Sequence, residues 1–226
     1  MDTCTKTFGG YDVTYRIGSV DEHVIQDSII KDIFFSRIPE YRPSKDHVII
    51  DVGAHIGTFS LMASSKAGEV HAIEPCKESF SLLETNISDN NCGNVKCHHL
   101  ALTNYNGTCK LYHAPGNWGH SVVKKRSNTH ELSQACTLES FMRSNKVDCC
   151  HFLKFNCEGS EFPVLIGTPD DVLARIGIIL VLFHCDLWPH NTGEDLMRRL
   201  KNSGMRCDMR KRSKNRGWIV GVRHGF

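Results

Sequence analysis

Short apolar runs rich in β-branched residues alternate along the chain with segments whose apolar positions recur at a helical period. The runs predict strands over residues 11–17, 48–51, 70–74, 95–100, 151–156 and 178–183. The segments between them predict helices over residues 21–35, 58–66, 77–90, 138–144, 161–166 and 194–202. Two further runs, 205–210 and 218–222, predict a terminal hairpin. Strands that alternate with helices indicate a mostly parallel sheet with right-handed crossovers, to which the hairpin adds an antiparallel edge.

The length of the chain, 226 residues, fits one α/β domain with a seven-stranded sheet. We expect residues 46–226 to form this domain and residues 1–45 to form an N-terminal strand-helix extension. Residues 107–112 and 119–123 predict a hairpin or loop excursion beside the sheet. The polar residues 124–133 predict a mobile connection.

The loop after the first core strand carries the clearest chemical signal. Residues 48–57 read VIIDVGAHIG, so the strand ends in Asp51 and a glycine loop follows. Gly53 and Gly57 permit a sharp turn and a close approach of the backbone to a ligand. The next strand ends in Glu74, where a carboxylate can accept hydrogen bonds from the two hydroxyls of a ribose. This arrangement is typical of the nucleoside-binding half of an α/β fold.

The spacing of the glycines distinguishes between two kinds of nucleoside cofactor. A dinucleotide site uses G-x-G-x-x-G, so that helix amides meet a pyrophosphate, but here His55 stands between Gly53 and Gly57. Asp51 would repel a pyrophosphate and attract an ammonium group. S-adenosylmethionine carries an ammonium, a sulfonium and a ribose but no phosphate, so the pattern favours this cofactor over NAD. The alternative is a generic α/β loop that binds nothing.

A series of motifs in the same order resembles the FkbM family of class I methyltransferases. The series starts at the loop 51–57 and at Glu74-Pro75. It continues with Asn86 and Asn90, Ala101-Leu102, NWGHS at 117–121, TLE at 137–139 and KFNCEGSE at 154–161. The last segment closely resembles the family's K-x-D-x-E-G-x-E block. Because the order and spacing agree from about residue 21 to about residue 188, the resemblance is specific.

The resemblance implies a single-domain Rossmann-like class I methyltransferase fold with S-adenosylmethionine as its cofactor. It places Glu74 and Pro75 at the ribose. It places Leu102 and Thr103 against the adenine ring, and Asn104 near the adenine amino group.

Ligands of open α/β sheets bind beyond the carboxyl ends of the strands, and this rule gathers candidate residues from five strands. They are Asp51, Gly53, Glu74, Leu102, Asn156, Glu158 and His184. Methyl transfer to a hydroxyl requires a positioned lone pair and a base. Glu158 is one candidate for this base and His184 is the other, although His184 also fits a packing role.

Lys154 and Glu161 flank these candidates within the same block. Lys154 is a candidate catalytic residue and Glu161 a candidate substrate-binding residue. Buried charges are costly unless they are paired or solvated, so an ion-pair cluster that holds the end of the strand is the alternative for both.

Two positions depart from the family pattern. Asn156 replaces the usual aspartate of the block, and Leu182 stands where the family has a glutamate two residues before the histidine. An asparagine cannot act as a base, but its carbonyl can accept from an amine or amide NH. We therefore expect methylation of an oxygen on a small molecule such as a sugar or secondary metabolite, with N-methylation of an amide or amine, including that of a peptide, as the alternative. A non-catalytic cofactor-binding module and an NAD-linked oxidoreductase are weaker alternatives.

Two surface segments are candidates for contact with the acceptor. One is a lid formed by Asn117, Trp118, His120 and Ser121, for which an ordinary hairpin is the alternative. The other is a basic tract containing Arg206, Arg210, Lys211, Arg212, Lys214 and Arg216. The tract suits a solvated turn or an anionic substrate, and the lack of interleaved aromatic residues argues against nucleic acid.

Composition narrows the environment and the chemistry. The net charge of +2 favours no particular partner, and the longest apolar run, 176–183, is too short to span a bilayer. The N-terminal residues lack the apolar region of a signal peptide, so we predict a cytoplasmic protein. The eleven cysteines include no CxxC and suit reduced thiols, and the thirteen histidines show no metal-binding spacing. We expect no essential metal.

Overall fold

The computed structural model describes residues 2–114 and 119–225. Within these residues the chain forms twelve strands and seven α-helices. The strands are β1 (Thr3–Phe8), β2 (Tyr11–Arg16), β3 (Val48–Val52), β4 (Glu69–Ile73), β5 (Val95–His98), β6 (Ala101–Leu102), β7 (Gly107–Tyr112), β8 (His130–Cys136), β9 (Cys150–Phe155), β10 (Ile176–His184), β11 (Met205–Lys211) and β12 (Arg216–Arg223). The helices are α1 (Asp21–Ile25), α2 (Thr58–Lys66), α3 (Lys77–Asp89), α4 (Leu138–Ser144), α5 (Glu161–Gly167), α6 (Asp170–Leu173) and α7 (Gly193–Asn202).

The central sheet has seven strands in the order β11-β12-β10-β9-β3-β4-β5. The five strands from β5 to β10 are parallel, and β12 runs antiparallel to both of its neighbours. The chain moves outward from β3 through β4 to β5, and then returns to β9 on the other side of β3. The predicted α/β fold with a terminal antiparallel hairpin is thus confirmed, and the order of the strands reverses between β3 and β9.

The parallel strands are apolar because helices and loops cover both faces of the sheet. Neighbouring residues of one strand enter different cores: Ile49 packs on one face and Ile50 on the other. Along β10, Leu180 belongs to the first core and Ile179 to the second. This two-sided burial explains why the sequence of β10 is continuously apolar rather than alternating.

Residues of the N-terminal extension pack into the first of these cores. Phe34 meets Phe59 of α2 edge-on, with ring centroids 5.1 Å apart. Phe35 lies 5.3 Å from Phe152 of β9. Ile25 is fully buried in the same cluster. Removal of the extension would therefore expose part of the core that covers β3 and β9.

The buried asparagine Asn86 of α3 joins this extension to the loop after β3. Its side chain accepts from Thr14 N at 2.7 Å and donates to Ile56 O at 2.8 Å. One turn later, Asn90 accepts from Asp12 N at 2.9 Å and donates to Asp12 O at 2.7 Å. The two asparagines noted in the sequence therefore pair with the edge of β2 and fix it against α3.

Several predicted elements differ from the structure. The helix predicted over 21–35 ends earlier, because α1 continues only as a π-helical turn to Ile30 and a separate 3₁₀ turn covers Phe35–Arg37. Residues 119–123 form no strand and contribute one bridge, between Tyr112 and Ser121. The strand predicted over 95–100 ends at His98, and the segments β1, β6 and α6 were not predicted.

The main correction concerns the polar segment predicted as a mobile connection. Its last residues belong to β8, which pairs antiparallel with β7 and parallel with β6 in a separate three-stranded sheet. The buried positions of β8 are the small residues Ser133 and Ala135, whereas Leu132 is exposed. This distribution gives no hydrophobic alternation that the sequence could reveal.

Within residues 2–114 and 119–225, no helix has the length and apolar character needed to cross a membrane.

Candidate active site

A cavity of about 520 Å³ opens beyond the carboxyl ends of β3, β4 and β9, at the reversal of strand order. This volume lies in the range of roughly 300–1,000 Å³ found for small-molecule sites. Nine of the candidate site residues line it: Gly53, His55, Glu74, Pro75, Leu102, His120, Lys154, Asn156 and Glu158. Seven others lie outside its lining: Asp51, Gly57, Thr103, Asn104, Ser121, Glu161 and His184. Asn117 and Trp118 fall outside the residues that the structure describes.

The loop after β3 turns through three residues of positive φ: Gly53 at 77°, His55 at 55° and Gly57 at 87°. A Cβ on Gly53 would lie 2.1 Å from the carbonyl oxygen of Asn156. A Cβ on Gly57 would lie 2.6 Å from Leu83 Cδ1. The sequence attributed these glycines to the approach of a ligand, but their nearest constraints are the end of β9 and the side of α3.

Glu74 places its carboxylate on the cavity wall. Its Oε2 accepts from His55 N at 2.9 Å, and its Oε1 accepts from Cys76 N at 2.9 Å. Burial raises the pKa of Glu74 to about 7, although these two hydrogen bonds and the charge of Lys154 oppose the shift. Each carboxylate oxygen has two lone pairs, so both retain the capacity to accept from a ligand hydroxyl.

Asp51 and Lys154 form a buried ion pair beneath the same loop. Lys154 donates from Nζ to Asp51 Oδ1 at 2.6 Å and to Gly53 O at 3.0 Å. Ser60 donates to Asp51 Oδ2 at 2.8 Å. The sequence predicted that Asp51 attracts the ammonium of a cofactor, but the structure pairs it with an ammonium of the chain itself. The geometry matches the alternative interpretation of Lys154, an ion pair that holds the end of the strand.

The N-terminal extension supports His55 through a buried arginine, a feature that the sequence analysis missed. Arg16 donates from Nε and Nη2 to the two carboxylate oxygens of Asp21, each at 2.9 Å. Arg16 Nη2 also lies 2.9 Å from His55 Nε2. Burial lowers the pKa of His55 to about 4, so the ring is neutral at neutral pH and Nε2 accepts from the guanidinium.

Three side chains at the ends of β9 and β10, Glu161, His184 and Glu158, contact one another in a row. His184 Nδ1 lies 2.6 Å from Glu161 Oε1, and His184 Nε2 lies 3.5 Å from Glu158 Oε1. Burial alone would disfavour the charged ring, but the charge and hydrogen bond of Glu161 raise the pKa of His184 above its ordinary value. Because a carboxylate only accepts, we assign a proton to Nδ1.

Of these three side chains, Glu158 reaches the cavity, whereas Glu161 and His184 are buried behind it. The backbone of Glu158 has a φ of +52°, which is unusual for a non-glycine residue and typical of functional sites. Its Oε2 lies 3.7 Å from Arg126 Nη1 and has no hydrogen-bond partner among the described residues. Asn156 Oδ1, also on the cavity wall, is likewise a buried acceptor without a described partner.

The segment that follows the undescribed residues of the predicted lid covers this carboxylate. Ser121 is fully buried and donates to the carbonyl of Glu158 at 2.7 Å. A Cβ on Gly119 would lie 3.2 Å from Glu158 Oε2, so the glycine leaves room for the carboxylate. His120 lines the cavity, and Ser121 supports its wall from behind.

The residues proposed for the adenine ring divide into two groups. Leu102 lines the cavity together with Leu100 and Ala101. Thr103 instead donates to Tyr105 O at 2.6 Å, and the side chain of Asn104 is exposed. The expectation that Thr103 and Asn104 contact the adenine therefore has no counterpart in the cavity wall.

One further wall comes from the N-terminal extension and from the strands β10 and β12. Its members include Val24, Asp27, Ser28, Phe34, Leu182 and Trp218. Only tertiary contacts bring these residues to the site. Of the six, the sequence marked only Leu182, as a departure from the family pattern.

A group of potential metal ligands also forms next to the cavity. Cys76, His113 and His120 each offer a ligand atom within 4.8 Å of the others. Burial raises the pKa of the Cys76 thiol to about 11 and lowers the pKa of His120 to about 4. No sequence spacing connects the three residues, and the absence of an essential metal stays a prediction.

Comparison with known proteins agrees with this architecture. The sequence profile of the methyltransferase FkbM domain matches residues 51–207, which is more than half of the chain. The hexuronic acid methyltransferase AglP of Haloferax volcanii is 25% identical over 216 residues, covering 95% of this chain and 86% of that protein. Methyltransferase 1 of Beauveria bassiana is 26% identical over 167 residues, covering 63% of this chain and 67% of that protein.

Solved structures show the same fold. The FkbM methyltransferase of Methylobacillus flagellatus superposes with a TM-score of 0.54 at 17% identity, over 82% of this chain and 46% of that chain, so the chain spans about half the length of that protein. An rRNA methylase of Streptococcus thermophilus superposes with a TM-score of 0.52 at 7% identity, over 86% of this chain and 94% of that chain. The chain belongs to the FkbM family of methyltransferases and has their Rossmann-like class I fold.

Proposed function

We propose that the protein binds S-adenosylmethionine in the cavity at the end of β3 and transfers its methyl group to an oxygen of a small acceptor, a sugar or a secondary metabolite. The observation that carries this proposal is the convergence of Glu74, Asn156 and Glu158 on one cavity at the reversal of strand order. In an open α/β sheet this is where ligands bind.

The residues of the cavity fit this cofactor. Glu74 offers a carboxylate fixed by two backbone amides, which suits the paired hydroxyls of a ribose. Leu102 and its neighbours offer an apolar wall for the adenine. Asn156 Oδ1 is a buried acceptor without a described partner, and an ammonium is a donor that matches it. Glu74, Leu102 and Asn156 would hold the cofactor, with the loop 53–57 beside them.

When bound, S-adenosylmethionine supplies the electrophilic methyl group and the leaving group. The chain must position the acceptor and remove its proton. We assign the removal of this proton to Glu158, whose carboxylate reaches the cavity and acts as the base. Glu161 orients the His184 ring, and His184 Nε2 faces Glu158 Oε1, so this buried pair holds the Glu158 carboxylate in position at the cavity wall.

The choice of a sugar-type acceptor rests on the similarity to AglP, which acts on a hexuronic acid. The cavity volume of about 520 Å³ also suits a small molecule. Its wall combines apolar residues such as Phe34 and Leu182 with the carboxylate of Glu158, which suits a ring with hydroxyl groups.

N-methylation of an amide or amine, including that of a peptide, is the second candidate. Asn156 stands where the family has an aspartate, and its Oδ1 has no partner among the described residues. A neutral amine brings a free lone pair and needs a positioning acceptor more than a base. Under this alternative Asn156 would orient the acceptor, and Glu158 would contribute little to the rate.

Titration calorimetry tests the cofactor first. We expect the full chain to bind S-adenosylhomocysteine and to leave NAD unbound, because the glycine pattern lacks the pyrophosphate site. Binding of NAD alone would overturn the proposal in favour of an oxidoreductase.

Mass spectrometry then tests the reaction. The protein is incubated with labelled S-adenosylmethionine and with sugars, sugar acids and small peptides. A labelled methyl group on a sugar oxygen supports the first function, and one on a peptide nitrogen supports the second. Cofactor binding without methylation of any of these compounds would favour the non-catalytic cofactor-binding module.

A further inference from the structure

A second cavity of about 380 Å³ adjoins the proposed active site. We call it the basic groove, and its lining consists of Asp27, Lys31, Ile33, Arg37, Arg210, Lys211, Arg212 and Trp218. It shares Asp27, Ile33, Arg212 and Trp218 with the active-site cavity. A molecule of moderate size can therefore lie in both.

The charges of the groove are unbalanced. Asp27 is the one acid among its described lining residues, and Lys31 pairs with it at 3.0 Å. Lys211 pairs with Glu194, and Arg210 lies 3.5 Å from Asp208 where both side chains are well exposed. Among residues 2–114 and 119–225, no carboxylate pairs with Arg37 or Arg212.

An aromatic ring holds Arg37 in place, since no carboxylate of the described residues pairs with it. Its guanidinium lies 4.2 Å from the centre of the Trp218 ring, and its Nε is buried without a described acceptor. The indole Nε1 of Trp218 also has no described acceptor. Burial lowers the pKa of Arg37, and the charges of Arg212 and Arg210 lower it further. Arg37 and Arg212 thus bring donors and positive charge to the groove that no carboxylate of the described residues pairs with.

We propose that the basic groove binds an anionic group of the methyl acceptor, a carboxylate or a phosphate, with Arg37 and Arg212 as its direct ligands. A guanidinium matches both anions through two parallel N–H donors. Because Arg212 lines both cavities, the acceptor extends from Glu158 into the groove. This inference rests on the proposed function and names its substrate class, an acidic small molecule.

The basic tract noted in the sequence is therefore divided by the fold. Arg210, Lys211 and Arg212 line the groove, whereas Lys214 is exposed and lies outside its lining. Arg216 forms two hydrogen bonds with Asp186, at 2.8 Å and 3.0 Å. This division provides a matched control, because Lys214→Gln removes one positive charge from the same hairpin turn as Arg212→Gln.

The experiment is titration calorimetry on the full chain with D-glucuronate, glucose 6-phosphate and neutral glucose. We expect at least one of the two anionic sugars to bind more tightly than glucose, and the affinity to fall as salt is added. Arg37→Gln and Arg212→Gln should each weaken that binding about tenfold or more, the size expected for a lost charged hydrogen bond. Lys214→Gln should change it by less than about twofold.

Binding of S-adenosylhomocysteine to the same variants separates this inference from the proposed function. Retained cofactor binding and an unchanged melting temperature show that Arg37→Gln and Arg212→Gln leave the fold and the cofactor site intact. Glucose that binds as tightly as both anionic sugars would overturn the inference, as would equal losses in Lys214→Gln and Arg212→Gln. Displacement of the sugar by a single-stranded RNA would also overturn it. A wild-type protein that does not bind S-adenosylhomocysteine would instead overturn the proposed function.

Discussion

Lys154 Nζ lies 2.6 Å from Asp51 Oδ1, and both side chains are buried at adjacent positions of β3 and β9. The ammonium is also 5.2 Å from the ring of Phe34 and 5.7 Å from that of Phe59. The pair lies directly under the loop that turns at Gly53, whose carbonyl accepts from the same ammonium. Its role in the structure is to fix this loop against β9.

We expect Lys154→Met to destabilise the protein by about 3–5 kcal/mol, because it leaves the buried Asp51 charge without its partner. The double variant Asp51→Asn/Lys154→Met should recover much of this loss, since neither charge remains. Urea unfolding measures both changes. A Lys154→Met protein of native stability that has lost methyl transfer would show that Lys154 acts in the reaction instead.

Glu74→Ala should weaken the binding of S-adenosylhomocysteine by about 1–3 kcal/mol, the cost of losing hydrogen bonds to a charged group. The substitution also frees the amides of His55 and Cys76, so the melting temperature of the variant must be measured alongside. An unchanged dissociation constant in calorimetry would remove Glu74 from the cofactor site.

The affinity of the wild type for S-adenosylhomocysteine should rise between pH 5.5 and pH 8. Burial raises the pKa of Glu74 to about 7. Below that pH most of the side chain is protonated, so little of the carboxylate that accepts hydrogen bonds from the ribose hydroxyls is present. The stability contribution of Glu74 has the opposite sign. Its folded pKa lies above the ordinary value of 4.5, so this contribution is fully present below pH 4.5 and is lost as the pH rises through about 7.

Titrations at several pH values test this relation, with Glu74→Ala as the control that should lose most of the pH dependence. Titration of His55 does not contribute to this pH dependence, because burial lowers its pKa to about 4 and its ring stays neutral between pH 5.5 and pH 8. An affinity that is flat from pH 5.5 to pH 8 in the wild type would contradict the assignment.

The fold was largely predictable because its signals are local. The β-branched runs of β3 and β4, the glycine at the start of α2 and the cap at Thr137 each specify an element within a few residues. The strand β8 was not predictable in this way, because its buried side chains are small and its Leu132 faces solvent. Its pairing with β7 satisfies backbone hydrogen bonds rather than a hydrophobic pattern.

The site was predictable where a residue belongs to a local motif or lies at the end of a strand. Glu74 and Asn156 follow β4 and β9 directly, so the sequence located them. The partner of Asp51 lies 103 positions away, and the contact of Arg16 with His55 spans 39 positions. Such pairs arise from the packing of distant segments, so a single sequence does not reveal them.

Gly53→Ala should lower the stability of the whole chain as well as the affinity for the cofactor. Its φ of +77° disfavours an L side chain, and its Cβ would lie 2.1 Å from the backbone oxygen of Asn156. Gly10→Ala is the matched control, because Gly10 has a φ of +89° and open space around the added Cβ. The control should cost only about 1–2 kcal/mol for the backbone conformation. Equal unfolding free energies for the two variants would show that the loop gives way without strain.

Methyl transfer should continue in the presence of EDTA, since displacement at the methyl group needs no Lewis acid. The three potential ligands Cys76, His113 and His120 make this test informative. Activity that disappears with EDTA and returns with zinc in the wild type, but does not return in Cys76→Ser, would contradict the prediction and assign a metal site to this group.

Glu158→Gln should lower kcat by about a hundred- to ten-thousand-fold with little change in cofactor affinity, because it removes the base but keeps the shape of the side chain. His184→Ala should cost less, since His184 lies behind Glu158 and does not line the cavity. Glu84→Gln, at an exposed position of α3, is the control for the loss of one acid and should leave kcat unchanged.

The same variants decide between the two acceptor chemistries. A hydroxyl keeps its proton until attack and depends on the base, whereas a neutral amine depends on an acceptor that positions it. If oxygen is methylated, Glu158→Gln is nearly inactive and Asn156→Ala retains turnover in proportion to its cofactor binding. Near-native turnover of Glu158→Gln together with an inactive Asn156→Ala would reject the hydroxyl acceptor. Asn156, whose Oδ1 has no described partner on the cavity wall, would then be the residue that holds the nitrogen for attack.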